Sequence, residues 1–354
     1  MRILFILEHR VNAGSIHAVA NYIRAGHELG HFIALYGHPD PRYPNIRFCS
    51  DPASFDYVVF IVESGLTRMS NLQLGTILAQ VPIKKRAVID TDGMFAESIV
   101  LDSYDRNFAN AQERFEWFSK HEQLADRVFQ PLLSTQSSMA RPLPFFGYDP
   151  QLRMVNGHSS KRFDLVHVGH NWWRWREVSS TLLPAIEKIR DRLGEISFIG
   201  MWWDSPPPWA EAINLGAAFH VDSDRLKRLK ITTRPPVPYT EVISTMSQGR
   251  VNIMSQRPLL RRLRLLTAKY FEIFCADTIP VVMLDPDHAE SVYGPAGREL
   301  ALGDANAAEK IIDAVSNERK YGEIVSEVRH YLQTHHSYRQ RLNELIAALG
   351  DKNR

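Results

Sequence analysis

The sequence has few cysteines, no long hydrophobic run and almost no net charge. Its 354 residues include only Cys49 and Cys275, which excludes a disulfide framework and a cysteine-based metal centre. No apolar stretch approaches the roughly 20 residues that a membrane span requires. The apolar part of residues 1–10 is also too short, and too soon charged, for a signal peptide. We therefore expect a cytoplasmic protein in a reducing environment.

The charge balance also excludes partners that depend on a strongly basic surface. Lysine and arginine number 42 and acidic residues number 40, for a net charge of +2, so we expect no nucleic-acid partner. The composition, 44% hydrophobic and 23% charged, is that of a globular protein. The length is typical of two domains. The polar segment 156–161 is the best linker, which predicts one domain over 1–155, a second over 156–330 and a terminal helix in 331–354.

Short apolar runs alternate with helical patterns along both halves of the chain. Residues 2–7 and 32–36 read as buried strands on either side of a helix at 16–29, which predicts a right-handed βαβ unit. A similar order begins again at residue 163. The sequence therefore predicts an α/β fold with two doubly wound parallel sheets. The further strands are predicted at 57–62, 86–89, 128–131, 163–169, 196–200, 229–233, 250–254 and 279–284.

The first strand–helix loop contains a single glycine, Gly14, and lacks the G-x-G-x-x-G pattern, so dinucleotide binding is poorly supported. Gly14 and Ser15 place backbone N–H groups at a helix N-terminus, which is a physical site for an anion. A simple helix cap at Ser15 explains the same residues equally well.

Acidic residues follow two of the predicted strands in the first half. Glu63 follows strand 57–62, and Asp90 and Asp92 follow strand 86–89. Ligands of open α/β sheets bind beyond the carboxyl ends of strands, so these side chains are candidates for acceptor binding or base catalysis. Repulsion between Asp90 and Asp92 would raise one of the two pKa values. The alternative is structural: Asp92 and Gly93 form a turn, and Asp90 caps a helix.

A basic, tryptophan-rich loop, H-N-W-W-R-W-R-E, occupies residues 170–177 between a predicted strand and a predicted helix at 179–190. Arg174 or Arg176 near a helix N-terminus is suited to hold a diphosphate. In the alternative, the tryptophans close a hinge and the arginines stack on them.

The most informative stretch is 261–294, where a helix capped by Thr267 is predicted to run to about residue 276 before a buried strand. Glu272 lies among apolar residues, where a carboxylate needs a partner. A sugar diol is one such partner, because both hydroxyls can donate to one carboxylate. A pair with Lys269, one turn away, is the alternative.

Within that stretch, K-Y-F-E-I-F-C-A-D-T-I-P-V-V resembles the donor-site segment of nucleotide-sugar glycosyltransferases with the two-domain GT-B fold. The nearest match is the spore-maturation, CgeB-like branch. The resemblance implies that Glu272 holds the donor ribose. Three positions depart from the family pattern: Lys269 replaces an arginine, Asp277 a glycine, and Arg264 a second glutamate.

The resemblance implies two Rossmann-like domains facing each other across a cleft. The donor, with UDP or GDP favoured, would bind the C-terminal domain, with its diphosphate near Lys269, Arg174 or Arg176. Its base would lie near the segment that ends at Tyr239. Lys269 would stabilise the leaving diphosphate, and the terminal helix would pack back on the first domain.

The same resemblance implies a metal-independent transfer to a small-molecule or glycan acceptor. The acceptor would lie near His9, Gly14 and Asp92, with Asp92 as the base and with Glu63 and Asp90 at the same sheet edge. Two other functions stay open: a different GT-B enzyme, such as a sugar-nucleotide epimerase or a phosphorylase, and an idle GT-B scaffold.

Overall fold

The computed structural model describes residues 1–7, 14–63, 71–96, 111–135, 139–154, 161–213 and 215–351. Within these ranges the strands form two separate sheets, one from each half of the chain. The predicted α/β architecture with two parallel sheets is confirmed.

The N-terminal sheet has the order β3-β2-β1-β4-β5-β6-β7, with parallel pairing between all neighbours. β2 and β3 therefore lie on one side of β1, and β4 to β7 follow in order on its other side. Its strands are β1 (Arg2–Ile6), β2 (Phe32–Tyr36), β3 (Phe48–Cys49), β4 (Tyr57–Val62), β5 (Arg86–Asp90), β6 (Arg127–Gln130) and β7 (Arg141–Pro142). Its helices are α1 (Gly14–Glu28), α2 (Asn71–Gln80) and α3 (Ala111–His121).

Helices cover both faces of this sheet, which explains why β1 is apolar at every inner position. Ile3 and Phe5 belong to the core that includes α1, whereas Leu4 and Ile6 belong to a second core on the opposite face, with Trp117 of α3. Successive side chains of a strand point to opposite faces, so a sheet buried on both sides requires an unbroken apolar run.

The C-terminal sheet has the order β10-β9-β8-β11-β12 and is likewise parallel. Its strands are β8 (Phe163–Val168), β9 (Ile196–Ile199), β10 (Ile231–Arg234), β11 (Gly249–Met254) and β12 (Ile279–Val282). The helices of this half are α4 (Trp175–Glu177), α5 (Leu183–Ile189), α6 (Ser223–Arg228), α7 (Val242–Met246), α8 (Pro258–Arg262), α9 (Lys269–Glu272), α10 (Pro286–Tyr293), α11 (Ala307–Ser316), α12 (Glu318–His335) and α13 (Tyr338–Gly350). No helix in the described ranges is long and apolar enough to cross a membrane.

Two helices of the C-terminal half differ from their predicted bounds. The helix predicted to run from Thr267 to about residue 276 is the single turn α9, with Ala268 as its N-cap. Thr267 contributes its carbonyl oxygen, which accepts from the Tyr270 N–H at 3.1 Å, and beyond Glu272 the chain tightens into turns. The helix predicted at 179–190 begins earlier, at Trp175, and passes through a π-helical turn (Val178–Leu182) into α5.

The last helix, α13, lies against the N-terminal half. The Tyr338 ring packs edge-on against Tyr22 of α1, with ring centroids 5.6 Å apart. Arg341 is almost completely buried and donates from Nε to the Phe146 carbonyl oxygen at 3.2 Å. These contacts join the end of the chain to its beginning. Most of the predicted linker, residues 156–160, lies outside the described ranges.

Candidate active site

The two sheets direct the carboxyl ends of their central strands towards one cleft. The chain reverses its direction of growth beside β1 and β4 in one sheet and beside β8 and β11 in the other, and ligands bind at such switch points. A cavity of about 260 Å³ lies there between the halves. Its N-terminal wall includes Gly14, Ser15, Glu63, Thr91, Asp92 and Phe146. Its C-terminal wall includes Gly169, His170, Arg174, Gly200, Pro236, Val237, Tyr239, Ser255, Gln256, Lys269 and Glu272.

Glu272 lies at the end of α9, and its side chain is 12% exposed. Its Oε1 accepts a hydrogen bond from the Tyr239 hydroxyl, and its Oε2 lies 3.8 Å from Lys269 Nζ. The predicted alternative, a pair with Lys269, is therefore present in the structure. A carboxylate has about four lone-pair sites, so Glu272 retains capacity for hydroxyl donors in the cavity.

Two cationic side chains converge beside Glu272. Burial lowers the pKa of the Lys269 ammonium, and the nearby Arg174 adds to this, whereas Glu272 opposes it. The Arg174 guanidinium donates to the backbone oxygens of His170 at 2.6 Å and Ser255 at 3.4 Å, which fixes it across the ends of β8 and β11. Two fixed positive charges in a partly desolvated cleft suit a polyanionic ligand.

His170 adds a neutral donor to this wall. The Met201 N–H donates to His170 Nδ1 at 3.0 Å, so the ring proton of the neutral imidazole resides on Nε2. Burial, assisted by Arg174 and Lys269, lowers the pKa of His170 to about 4. The ring is thus uncharged at neutral pH and offers one N–H.

The opposite wall begins at the N-terminus of α1. No acidic residue occupies the first turn of this helix, so the positive end of its dipole is not offset locally. Ser15 is fully buried, and its Oγ has no hydrogen-bond partner among the described residues. A Cβ on Gly14 would lie 2.8 Å from the Cβ of Ala268. The α1 backbone therefore approaches the C-terminal half closely, leaving a hydroxyl and helix N–H groups for an anion.

The two aspartates after β5 differ in position. Asp90 is fully buried; its Oδ1 accepts from the N–H groups of Asp92 and Met94, and its Oδ2 from the Phe95 N–H and Gln130 Nε2, at 2.8–3.3 Å. Burial raises the pKa of Asp90 to about 6, and Asp92 makes the smallest contribution. Asp90 thus holds the following turn, and Asp92 is the member of the pair that lines the cavity.

Of the remaining predicted residues, some line the cavity and others do not. Glu63 lines the cavity, whereas the exposed Arg176 is not among its lining residues, and His9 lies outside the described ranges. The departure at Asp277 has a structural explanation, because Lys161 Nζ lies 3.1 Å from its Oδ2. The backbone at Arg264 is left-handed, with φ of 55°.

Several cavity residues were not singled out from the sequence. Sequence reasoning chose the arginines of the 170–177 loop, although His170 follows the strand directly and could have been found by the strand-end rule. Thr91 could have been found in the same way beside Asp92, whereas Phe146 follows no predicted strand. Among the described residues, no group of three or more histidine, cysteine or acidic side chains could hold a metal ion.

The chain is similar to known glycosyltransferases in sequence and in fold. Residues 182–347 match the model of a glycosyl transferase-like family, and no curated protein matches the chain. An alpha-glucosyltransferase in complex with UDP-glucose and DNA containing an abasic site superposes with a TM-score of 0.64 at 10% identity. T4 phage BGT, in complexes with UDP and Mn²⁺ and with UDP-glucose, superposes with a TM-score of 0.56 at 12% identity. Each covers 99% of this chain and 100% of its own. The predicted resemblance to glycosyltransferases and the GT-B fold are confirmed, whereas the assignment to the spore-maturation branch stays a prediction.

Proposed function

We propose that the chain, which has the GT-B fold, is a glycosyltransferase that transfers a sugar from a nucleoside diphosphate sugar to an acceptor bound in the interdomain cleft. One observation carries the proposal. A polar carboxylate, Glu272, and two cations, Lys269 and Arg174, face a helix N-terminus across a single cavity. A sugar nucleotide offers hydroxyls and a diphosphate to such a set in the same molecule.

The donor would be held mainly by the C-terminal wall. Glu272 would accept the ribose hydroxyls with the lone pairs that Tyr239 and Lys269 leave open. Lys269 and Arg174 would bind the diphosphate, and Lys269 would stabilise the charge that develops as it leaves. We assign this role to Arg174 and not to Arg176, because only Arg174 lines the cavity. UDP is the first nucleotide to test, since the solved structures that share the fold are described with UDP or UDP-glucose, with GDP as the second.

The acceptor would lie against the N-terminal wall. Asp92 would act as the base, since it lies at the cavity end of β5 while Asp90 fixes its backbone N–H. Glu63 is the second carboxylate of this wall. We propose a small molecule or a glycan as the acceptor, because the net charge of +2 offers little attraction to a phosphate backbone. The structural relatives include proteins described in complex with DNA, so DNA belongs in the acceptor panel as the contrary outcome.

We propose further that the reaction needs no divalent cation, since Lys269 and Arg174 already supply positive charge where the diphosphate would lie. T4 phage BGT is described in complex with Mn²⁺, so turnover should be measured with Mn²⁺ and with a chelator.

A cytoplasmic location is also part of the proposal, because both cysteines, Cys49 and Cys275, are free thiols.

The first experiment measures nucleotide binding by thermal unfolding and calorimetry, with UDP, GDP and their sugar derivatives. A ligand at about 100 times its dissociation constant adds roughly 2.7 kcal/mol of stability. Glu272→Gln should weaken binding roughly 10- to 100-fold, because it removes a charge-assisted acceptor. Glu241→Gln is the matched control, since Glu241 is exposed and is not among the cavity residues.

The alternatives give different outcomes. An idle scaffold shows no turnover in any donor and acceptor combination, and Glu272→Gln then leaves its function unchanged. A sugar-nucleotide epimerase converts the donor without any acceptor. Binding of one nucleotide that is equal in wild type and Glu272→Gln would refute the assignment of Glu272 while leaving the donor class intact.

A further inference from the structure

One side chain of the N-terminal half reaches the donor wall without being among the cavity residues. His17, in the first turns of α1, stacks face to face on Tyr239, with ring centroids 3.4 Å apart and planes inclined by 13°. Burial lowers the pKa of His17 to about 4, so the stacked imidazole is neutral at neutral pH. The two rings belong to opposite halves of the molecule, and the stack therefore exists only when the cleft is closed.

Tyr239 connects this stack to Glu272. Burial and the neighbouring carboxylate raise the pKa of Tyr239 well above its usual value, so the phenol keeps its proton and donates it to Glu272 Oε1. With Lys269 beside Oε2, both oxygens of Glu272 have fixed neighbours. A carboxylate oriented before the ligand arrives loses less freedom on binding.

We propose that His17 is a positioning residue for the donor: it braces Tyr239, and Tyr239 orients the carboxylate that receives the ribose. This inference rests on the proposed function of the cleft. It means that the donor site, although built on the C-terminal half, is completed by a side chain from the N-terminal half.

The brace also links donor binding to closure of the cleft. If closure improves the orientation of Glu272, then a bound donor must favour the closed form by the same factor, because coupling between two equilibria is reciprocal. The close approach of Gly14 to Ala268 lies near the same end of α1, so both contacts form together. A domain held open would bind the donor with a less ordered Glu272.

The test compares His17→Ala, His17→Phe and His27→Ala. Loss of the stack should raise the dissociation constant of the nucleotide roughly 3- to 10-fold, and the KM for the donor should rise by a similar factor while the KM for the acceptor stays unchanged. Phenylalanine retains an aromatic face and should return the dissociation constant to within about twofold of wild type. His27 is an exposed histidine of the same helix, and its substitution should have no effect.

A second measurement needs no ligand. Urea unfolding of His17→Ala, Tyr239→Ala and the double variant should give non-additive losses, and small-angle scattering should show a larger radius of gyration for His17→Ala than for His27→Ala. Additive losses, or nucleotide binding by His17→Ala that equals that of His27→Ala, would overturn the brace. A wild-type protein that binds no nucleotide would instead overturn the proposed function, and the donor role of His17 with it.

Discussion

Replacing Asp90 by asparagine tests how the loop that carries Asp92 is held. Two effects compete at this carboxyl: complete burial favours the protonated form, and four N–H donors favour the ionised form. Burial dominates, and the pKa of Asp90 rises from 3.8 to about 6. The folded protein must therefore keep an ionised carboxylate at pH 7 at a cost in stability.

The size and sign of that cost follow from the two pKa values. Below pH 3.8 the carboxyl is protonated in both the folded and the unfolded chain, and its titration contributes nothing. Between pH 3.8 and 6 the unfolded chain releases the proton while the folded chain keeps it, so the free energy of unfolding falls as pH rises. The fall is complete above pH 6 and amounts to about 3 kcal/mol, since each pKa unit is worth about 1.4 kcal/mol.

The assay is urea unfolding of the wild type and Asp90→Asn at pH 4, 5, 6 and 7. Asparagine does not titrate, so the difference between the two proteins isolates this carboxyl from the buried histidines. We expect the variant to gain about 2.4 kcal/mol relative to the wild type between pH 4 and pH 7, because part of the total fall has already occurred at pH 4. Gln130→Met, which removes one donor to Oδ2, should enlarge the wild-type pH dependence. A flat difference would show that the N–H donors fully offset burial, and a wild type that gains on the variant as pH rises would show that they outweigh it.

Two further substitutions test the cleft. Lys269→Met should weaken binding of a nucleoside diphosphate roughly 10- to 100-fold. Binding of the nucleoside should weaken less, since it loses only the effect of Lys269 on the orientation of Glu272. Calorimetry with both ligands measures the two losses, the exposed Lys84→Met is the control, and equal losses for both ligands would contradict the diphosphate role. Gly93→Ala should lower the free energy of unfolding by about 1–2 kcal/mol, because Gly93 has φ of 74° and a Cβ there would lie 2.5 Å from Leu263 Cδ1. Thermal unfolding measures this loss. Gly75→Ala in α2 is the control: a Cβ there meets nothing within 4 Å, so the substitution should be neutral or stabilising.

The fold was predictable where a short apolar run is bounded by polar residues. β2 (Phe32–Tyr36) and β4 (Tyr57–Val62) match their predicted bounds, because each is a short apolar run with a polar boundary. The predicted helix at α9 was too long, because no polar residue marks a boundary between Glu272 and residue 276. Every residue from Ile273 to Ala276 is buried, so the segment is apolar on all sides, and periodicity cannot separate a helix from a run of buried turns.

The site was predictable as far as the strand-end rule extends. That rule selected Glu63, Asp90 and Asp92, of which Glu63 and Asp92 line the cavity. The arginines of the 170–177 loop were selected by their position near a helix N-terminus. That argument could not choose between Arg174 and Arg176, because the choice depends on where the helix begins, and α4 begins four residues before the predicted start. The His17–Tyr239 stack had no sequence signal, since it joins two halves whose relative placement is not encoded in local pattern.

The closed cleft imposes a condition on substrate entry. The two walls meet at two glycines: Gly14 lies against Ala268, and Gly93 lies against Leu263. A Cβ added to either glycine would lie within 3 Å of the opposite side chain. Leu132 of the N-terminal half also packs with Leu260 and Leu265. Contacts this close leave no gap between the halves at these residues, so in the proposed function separation of the halves would widen the path for the donor and the product. In the proposed reaction, closure would keep Asp92 and Lys269 on the two walls of one cavity and exclude water from the donor, which makes the rate of opening a candidate limit on turnover.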